Sequence, residues 1–226
     1  MQPYFFPYAG YFQLAASVDK FVLFDDVNFI NRGWINRNRI LVSGKEYLFT
    51  APLHDVSQNK LINDIKILDE LNWKIKLLKT IEQAYKKAPY FMDAYPIISQ
   101  IINYDNLNLS EYIYHSLVKI NEYLGIGCAL VPSSSVYNNQ HIKGQDRILD
   151  ICSKESATEY TNLPGGQELY NRDKFLDCGV QLTFINPPSF KYKQFDNDFV
   201  PWLSIIDIMM FNSKDQLDNI FLKKHY

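Results

Sequence analysis

The sequence predicts an α/β fold: a three-layer, Rossmann-like, mostly parallel sheet with a small β-hairpin excursion and a helical insert over 59–105. Three observations predict it. Residues 108–185 alternate helical and strand-like patterns as αβαβαβ, and the right-handed crossover rule makes the strands of such a run parallel neighbours. Lys20 to Phe24 is a short apolar run, of the kind covered on both faces in a parallel sheet. The chain has 226 residues and is 47% hydrophobic, enough for one medium core, so 1–226 is read as a single domain.

The elements follow in order. Met1 to Pro7, MQPYFFP, has two prolines and cannot form a regular helix. Ala9 to Val18 has apolar residues at helical spacing. The strand Lys20 to Phe24 ends on Asp25 and Asp26, and open α/β sheets place ligands outside that end. Arg39 to Val42 and Glu46 to Phe49 flank Ser43-Gly44-Lys45, a hairpin signal. Leu53 to Gln58 reads as a turn, and Asn59 to Leu71 fits either a helix or a strand. Trp73 to Lys87 is a helix stopped by Pro89, and Met92 to Ile102 is another. Asn108 to Leu124 is a helix capped by Asn108, with Glu111 placed to complete a capping box. Its stripe is Ile113, Leu117, Ile120 and Leu124, and Gly125 and Gly127 end it.

Beyond it, Cys128 to Val131 is a strand, Gly144 or Gln145 to Ser153 a helix, and Ala157 to Tyr160 a strand. Glu168 to Asp177 is helical and Val180 to Ile185 a strand, closed by Pro187-Pro188. Trp202 to Phe211, WLSIIDIMMF, reads as an apolar helix, and the tail as a short helix ending near Lys223.

Composition excludes several classes. Net charge is −2, so no overall positive field holds a nucleic acid backbone, and no nucleic acid partner is expected. Cys128, Cys152 and Cys178 are few, odd in number and without a CxxC pair, which speaks against a zinc knuckle or a disulfide scaffold. No signal peptide and no long apolar run occurs, so a cytoplasmic protein without membrane insertion is expected. Sixteen tyrosines and 15 phenylalanines suit an aromatic core, a wide cleft or a subunit contact such as a homodimer.

The chemistry concentrates in two stretches. Asp25 to Ile40, DDVNFINRGWINRNRI, follows the first strand. Asp25 and Asp26 suit Mg²⁺, sugar hydroxyls or an Asx turn. Arg32, Arg37 and Arg39 offer planar forks for phosphate or carboxylate. An ion-paired hairpin base and an RNA contact are the competing readings. Trp34 can stack on a base or a sugar face, and Asn36 and Asn38 can bind hydroxyls or fix turns.

The second stretch, Ser133 to Arg147, holds Ser134, Ser135, His141, Lys143, Asp146 and Arg147. Serines after a strand and a Lys-Gly pair entering a helix outline an anion pocket. No P-loop occurs. His141 is a candidate acid or base, whereas His54, His115 and His225 lack metal-ligand spacing, and no residue is read as a metal ligand. A Cys128–His141 nucleophile pair would need an exposed cysteine.

These residues also carry a resemblance. MQPYFFPYAGYFQL at 1–14, FVLFDDVNFINRGWINRNRI at 21–40, KGQDRILDIC at 143–152, NLPGGQELY at 162–170 and FVPWLSIIDIMMFN at 199–212 resemble the WbqC-like family of bacterial proteins. Its members are often encoded beside O-antigen and other surface-polysaccharide genes. The resemblance implies a transferase in lipopolysaccharide or O-antigen biosynthesis that modifies an activated, nucleotide-linked sugar. The donor would be a nucleotide sugar or an acyl donor, with Mg²⁺ a candidate cofactor.

On that reading Asp25, Asp26, His141 and Lys143 are the catalytic candidates. The substrate contacts add Gln2, Tyr4, Gly165 and Gly166, from the matched segments, to the arginine loop, the serines, Asp146 and Arg147. The alternatives are a non-catalytic carbohydrate-binding or assembly protein and a nucleotidyltransferase-like enzyme. The family's opening usually carries apolar residues ahead of the MQP segment, so its first strand is expected to be shortened here. A looser likeness links Pro7-Tyr8-Ala9-Gly10-Tyr11 to the turn of HxGH nucleotidylyltransferases, with both histidines absent. It bears on fold alone.

Overall fold

The computed structural model describes residues 1–186, 189–196 and 198–222. Pro187-Pro188, Lys223 and His225, named above, lie outside the described residues. The N-terminal loop leads into α1 (Ala9–Ala16) and then β1 (Lys20–Val22). One edge of β1 pairs in parallel with β6 (Ala129–Val131), in register Lys20↔Ala129 to Val22↔Val131. Its other edge meets Met1, whose amine donates to the Val22 carbonyl at 2.9 Å and whose carbonyl accepts from the Phe24 amide at 2.7 Å.

The hairpin forms as expected, with longer arms: β2 (Arg37–Val42) and β3 (Lys45–Thr50) are antiparallel. Ser43 and Gly44 both hold positive φ, 51° and 75°, as a primed two-residue turn demands. The ambiguous stretch 59–71 resolves into a 3-10 turn at Ile62–Asp64 and β5 (Lys66–Ile67), antiparallel to β4 (Leu53–His54). Two helices follow, α2 (Leu71–Tyr85) and α3 (Phe91–Ile102). Helix α4 (Leu109–Leu124) carries the expected buried stripe and stops at Gly125, φ 74°. The Asn108 side chain caps it, accepting from the Glu111 amide at 3.0 Å. The reciprocal half of the expected box is replaced: the Asn108 amide donates to Asn106 Oδ1, and Glu111 accepts from Asn106 Nδ2.

Residues 144–184 form α5 (Gly144–Lys154), β7 (Glu159–Asn162), α6 (Arg172–Asp177) and β8 (Gln181–Phe184). β7 and β8 are parallel neighbours joined through α6, as the crossover argument requires. Leu149, Cys152, Phe175, Val180 and Leu182 give this unit a small core of its own. The rest of the molecule shares a larger core built on Phe5, Phe6, Tyr11, Phe12, Leu23, Ile40, Ile98, Tyr112 and Met209. Helices α7 (Ile205–Phe211) and α8 (Lys214–Phe221) complete it.

The expected large Rossmann-like sheet is corrected. The architecture is mixed α/β, but the described strands form two-stranded sheets: β1–β6, β2–β3, β4–β5 and β7–β8. The αβαβαβ run did not make β6 and β7 neighbours: β6 pairs with β1, and β7 with β8. Residues just after β1 and residues in β7 line one cleft. The polar segment between β6 and α5 bonds to the acids after β1.

Candidate functional site

Among the described residues, the first stretch meets the second only through Asp25-Asp26. Strands β1 and β6 run side by side, so their carboxyl ends deliver Asp25-Asp26 and Ser133–Ser135 to one place. Asp25 accepts from the hydroxyls of Ser110 at 2.5 Å and Ser133 at 2.7 Å, and from the Ser134 amide at 3.2 Å. Asp26 accepts from the Ser134 hydroxyl and from Arg147 Nη2, the latter at 2.5 Å. Arg147 also donates through Nε to Asn139 Oδ1 at 2.8 Å, and its guanidinium lies 4.6 Å from the Phe24 ring centroid. Asp26 is 3% exposed and Arg147 4%. This is a satisfied, buried ion pair with hydroxyl partners. Ser135 turns its hydroxyl to Ser133 at 2.7 Å.

Above this network opens a cleft of about 1540 Å³ between the larger core and the 144–184 unit. Of the residues singled out from sequence, Gln2, Tyr4, Asp26, Trp34, Lys143, Arg147, Gly165 and Gly166 line it. Aromatic walls come from Tyr8, Phe24, Tyr160, Tyr170, Phe190, Tyr192, Phe199 and Trp202. Amides come from Gln13, Asn28, Gln140, Gln145, Asn162 and Asn186. Two helices begin on it: Ala9 and Gly10 of α1, and Lys143, Gly144 and Gln145 at the start of α5. Neither has a side-chain cap, although the Tyr11 amide of α1 donates to the Tyr8 carbonyl at 3.1 Å; uncapped helix starts favour an anion. Lys143 is exposed there. Burial raises the Tyr160 hydroxyl well above the ordinary phenol value, reinforced by Tyr170 beside it, and burial raises Tyr4 and Tyr8 as well.

The arginines of the first stretch are placed elsewhere. Arg37 donates to the carbonyls of Gly33, at 3.0 Å, and Arg32. Arg32 and Arg37, with Asn36, flank a separate small pocket of about 220 Å³. Arg39 pairs with Glu46 at 2.7 Å, donates to the Trp202 carbonyl at 3.4 Å, and lies 5.1 Å from the Trp34 ring centroid. Asn36 donates to the Ala51 carbonyl at 2.9 Å. Asn38 is buried and ties β2 to the N-terminal loop through the carbonyls of Phe5 and Phe6, at 3.2 and 2.8 Å. One sequence signal for the Arg39 pairing was available: across the hairpin, Glu46 is diagonal to Arg39, a same-face neighbour.

Other candidates also fall outside the cleft. Asp25 and Ser134 are buried beneath it. Asp146 is exposed and pairs with Lys174 at 2.5 Å. His141 is exposed and does not line the cleft. Cys128 is half-buried, accepts from Asn121 at 3.6 Å, and burial pushes its thiol up. Burial likewise pushes Cys152 up to about 11, so neither thiol is set up as a nucleophile. Among the described residues no three His, Cys, Asp or Glu side chains gather as a metal site.

Residues 2–219 match the WbqC-like protein family. The chain belongs to that family. A relative in Mycobacterium tuberculosis, "Uncharacterized protein Rv1507c", is 27% identical over 212 residues, covering 92% of this chain and 90% of its own. No solved structure matches the chain. Among the described residues of this WbqC-like protein, no helix is long and apolar enough to cross a membrane. The matched span runs through both sides of the cleft, from Gln2 to the Asn162–Tyr170 segment and beyond.

Tyr8, Tyr160, Lys191 and Trp202 are cleft residues that sequence reasoning passed over. Tyr8 and Trp202 sit in segments that carry the family resemblance, which was the available signal.

Proposed function

We propose that this WbqC-like protein binds an activated, nucleotide-linked sugar in the cleft and acts as a transferase in surface-polysaccharide biosynthesis. One observation carries the reading. A single aromatic-walled cavity of about 1540 Å³ receives two uncapped helix starts and the exposed Lys143. Helix N-termini and a lysine favour a diphosphate. Aromatic walls take a base or a sugar face, and the amides of Gln2, Asn28 and Asn162 suit hydroxyls.

Of the four catalytic candidates, Lys143 and Asp26 line the cavity. Lys143 would neutralise charge that develops on the leaving diphosphate. Asp26, fixed by Arg147 and Ser134, would orient Arg147 rather than move a proton. A Mg²⁺ would be held mainly by the donor's own phosphates. Residues 1–226 are taken as one α/β domain. The 59–105 insert docks through α3 on α4 and α7 and contributes Leu77, Ile81, Ile98 and Ile101 to the larger core.

A second reading has its own support. Asp26 is the one carboxylate lining the cavity among the described residues, and no histidine lines it. That suits a non-catalytic carbohydrate-binding protein.

Thermal shift decides between them, using nucleotide sugars, free nucleotides, acyl-CoA and free glycans, each with and without Mg²⁺. A nucleotide sugar at about 100 times its Kd stabilises by about 2.7 kcal/mol. Lys143→Ala is expected to abolish that shift, and Arg37→Ala, in the separate pocket, to leave it intact. No shift with any nucleotide-bearing compound, or a shift lost in Arg37→Ala and kept in Lys143→Ala, refutes the donor reading. A shift with free glycans alone selects the binding module.

A further inference from the structure

Among the aromatic walls of the cleft, Trp202 is the one that holds a positive φ. The helical pattern of residues 202–211 should have buried it on one face, yet α7 begins only at Ile205. Trp202 is 68% exposed, and its backbone holds φ at +61°. Such a φ is uncommon for any side chain but glycine's and a true outlier for a bulky one. An exposed indole on strained backbone must be held by its surroundings, and strain of this kind gathers at ligand sites.

The holding contacts are specific. Arg39 donates to the Trp202 carbonyl at 3.4 Å. The next turn is anchored by Ser204, whose amide donates to the Arg39 carbonyl, and by Ile205, whose amide donates to the Pro7 carbonyl, each at 2.9 Å. The Tyr8 ring meets Trp202 at 5.8 Å between centroids, inclined at 66°. The same Arg39 guanidinium lies against Trp34, which is 39% exposed. Tyr8, Trp34 and Trp202 all line the cleft. Arg39 thus links the Trp34 ring to the Trp202 backbone, and its charge is answered by Glu46.

We propose that Trp202, braced edge-on by Tyr8 and linked through Arg39 to Trp34, is a platform on which a pyranose ring of a glycan stacks. The chemistry selects a sugar over a nucleobase. A pyranose covers an indole with its C–H face while its hydroxyls stay in water, so a ring left largely in solvent suits it. A nucleobase gains most when both faces and its polar edge are enclosed, as deeper cleft walls would allow. The inference rests on the donor reading only for its biological meaning: the stacked glycan would be the acceptor of the sugar bound beyond it.

Calorimetric titration of the full chain with cellohexaose, chitohexaose and UMP tests the platform. At least one saccharide is expected to bind. Trp202→Gly is expected to weaken it about tenfold or more, in line with the loss of one aromatic stacking contact, and Trp202→Phe to stay within about threefold. Glycine accepts the left-handed φ, so Trp202→Gly should melt no lower than wild type. A tryptophan serving only to hold the fold would show the reverse.

The platform is overturned by binding of neither saccharide, by saccharide binding unchanged in Trp202→Gly, or by a Trp202-dependent response to UMP alone. The donor reading is scored separately. A nucleotide-sugar thermal shift retained in Trp202→Gly keeps it whatever the saccharides do. Trp202-dependent saccharide binding with no nucleotide-sugar shift keeps the platform and drops the donor.

Discussion

Replacing Asp26 by alanine isolates the ion pair at the root of the cleft. The carboxylate is 3% exposed and bonds Arg147 Nη2 at 2.5 Å. Without it, the Arg147 guanidinium, 4% exposed, keeps Asn139 and the backbone carbonyl of residue 26 but loses its counter-charge. Stranding one partner of a buried pair costs about 3–5 kcal/mol. For a chain of this size each kcal/mol lowers Tm by about 2–4 °C, so a fall of about 6–20 °C is expected. Arg147→Met should cost a similar amount, because it strands the carboxylate. The double variant should cost much less than the sum, with a coupling of at least about 2 kcal/mol. Urea unfolding of the four proteins, followed by circular dichroism, measures all the terms. If Asp26→Ala costs under about 1 kcal/mol, or if the two costs simply add, the pair is not the buried strut described here. Asp26 would then be free for proton chemistry in the cleft.

Three further outcomes are expected. Asp207 is fully buried and accepts from Tyr85 at 2.8 Å, Tyr192 at 2.6 Å and Gln194 at 2.7 Å, and burial raises its pKa above the usual carboxylate value despite those donors. Its contribution is therefore fully present below the unfolded value of about 3.9 and declines as pH rises through the folded value. The urea midpoint of wild type relative to Asp207→Asn should fall with rising pH, and a rise would refute the sign. At Gly10 an added Cβ would lie 2.5 Å from Tyr8 Cε2. Gly10→Ala should therefore displace that ring and weaken cleft ligands in calorimetry while changing the urea midpoint little. Gly125 holds φ 74° at the end of α4, so Gly125→Ala should cost about 1–2 kcal/mol in urea unfolding.

Much of the local structure was legible because its causes are local. The Ser43-Gly44 turn, the Asn108 cap, the α4 stripe and the Gly125 stop each follow from residues a few positions apart. The place of Asp25-Asp26 and Ser133–Ser135 after apolar strands was also legible; that β1 and β6 pair, and so bring them together as a buried network, was not. Whether an arginine faces a ligand or a neighbouring carbonyl depends on partners such as Gly33, Glu46 and Trp202, and only the packed hairpin sets them. Trp202 misled the helical pattern for the same reason. Periodicity records which residues are apolar, not where the chain must turn to let Ser204 and Ile205 bond Arg39 and Pro7.

The sequence by itself determined the family, the mixed α/β character and the two stretches that supply polar groups, because each is written in short-range pattern or in matched segments. Tertiary structure alone decided that the described strands remain in pairs, that the acids become a buried strut, and that the open space lies between the two cores. Burial and cavities are properties of surfaces brought together from distant parts of the chain. A pattern read along one segment carries no measure of what will cover it.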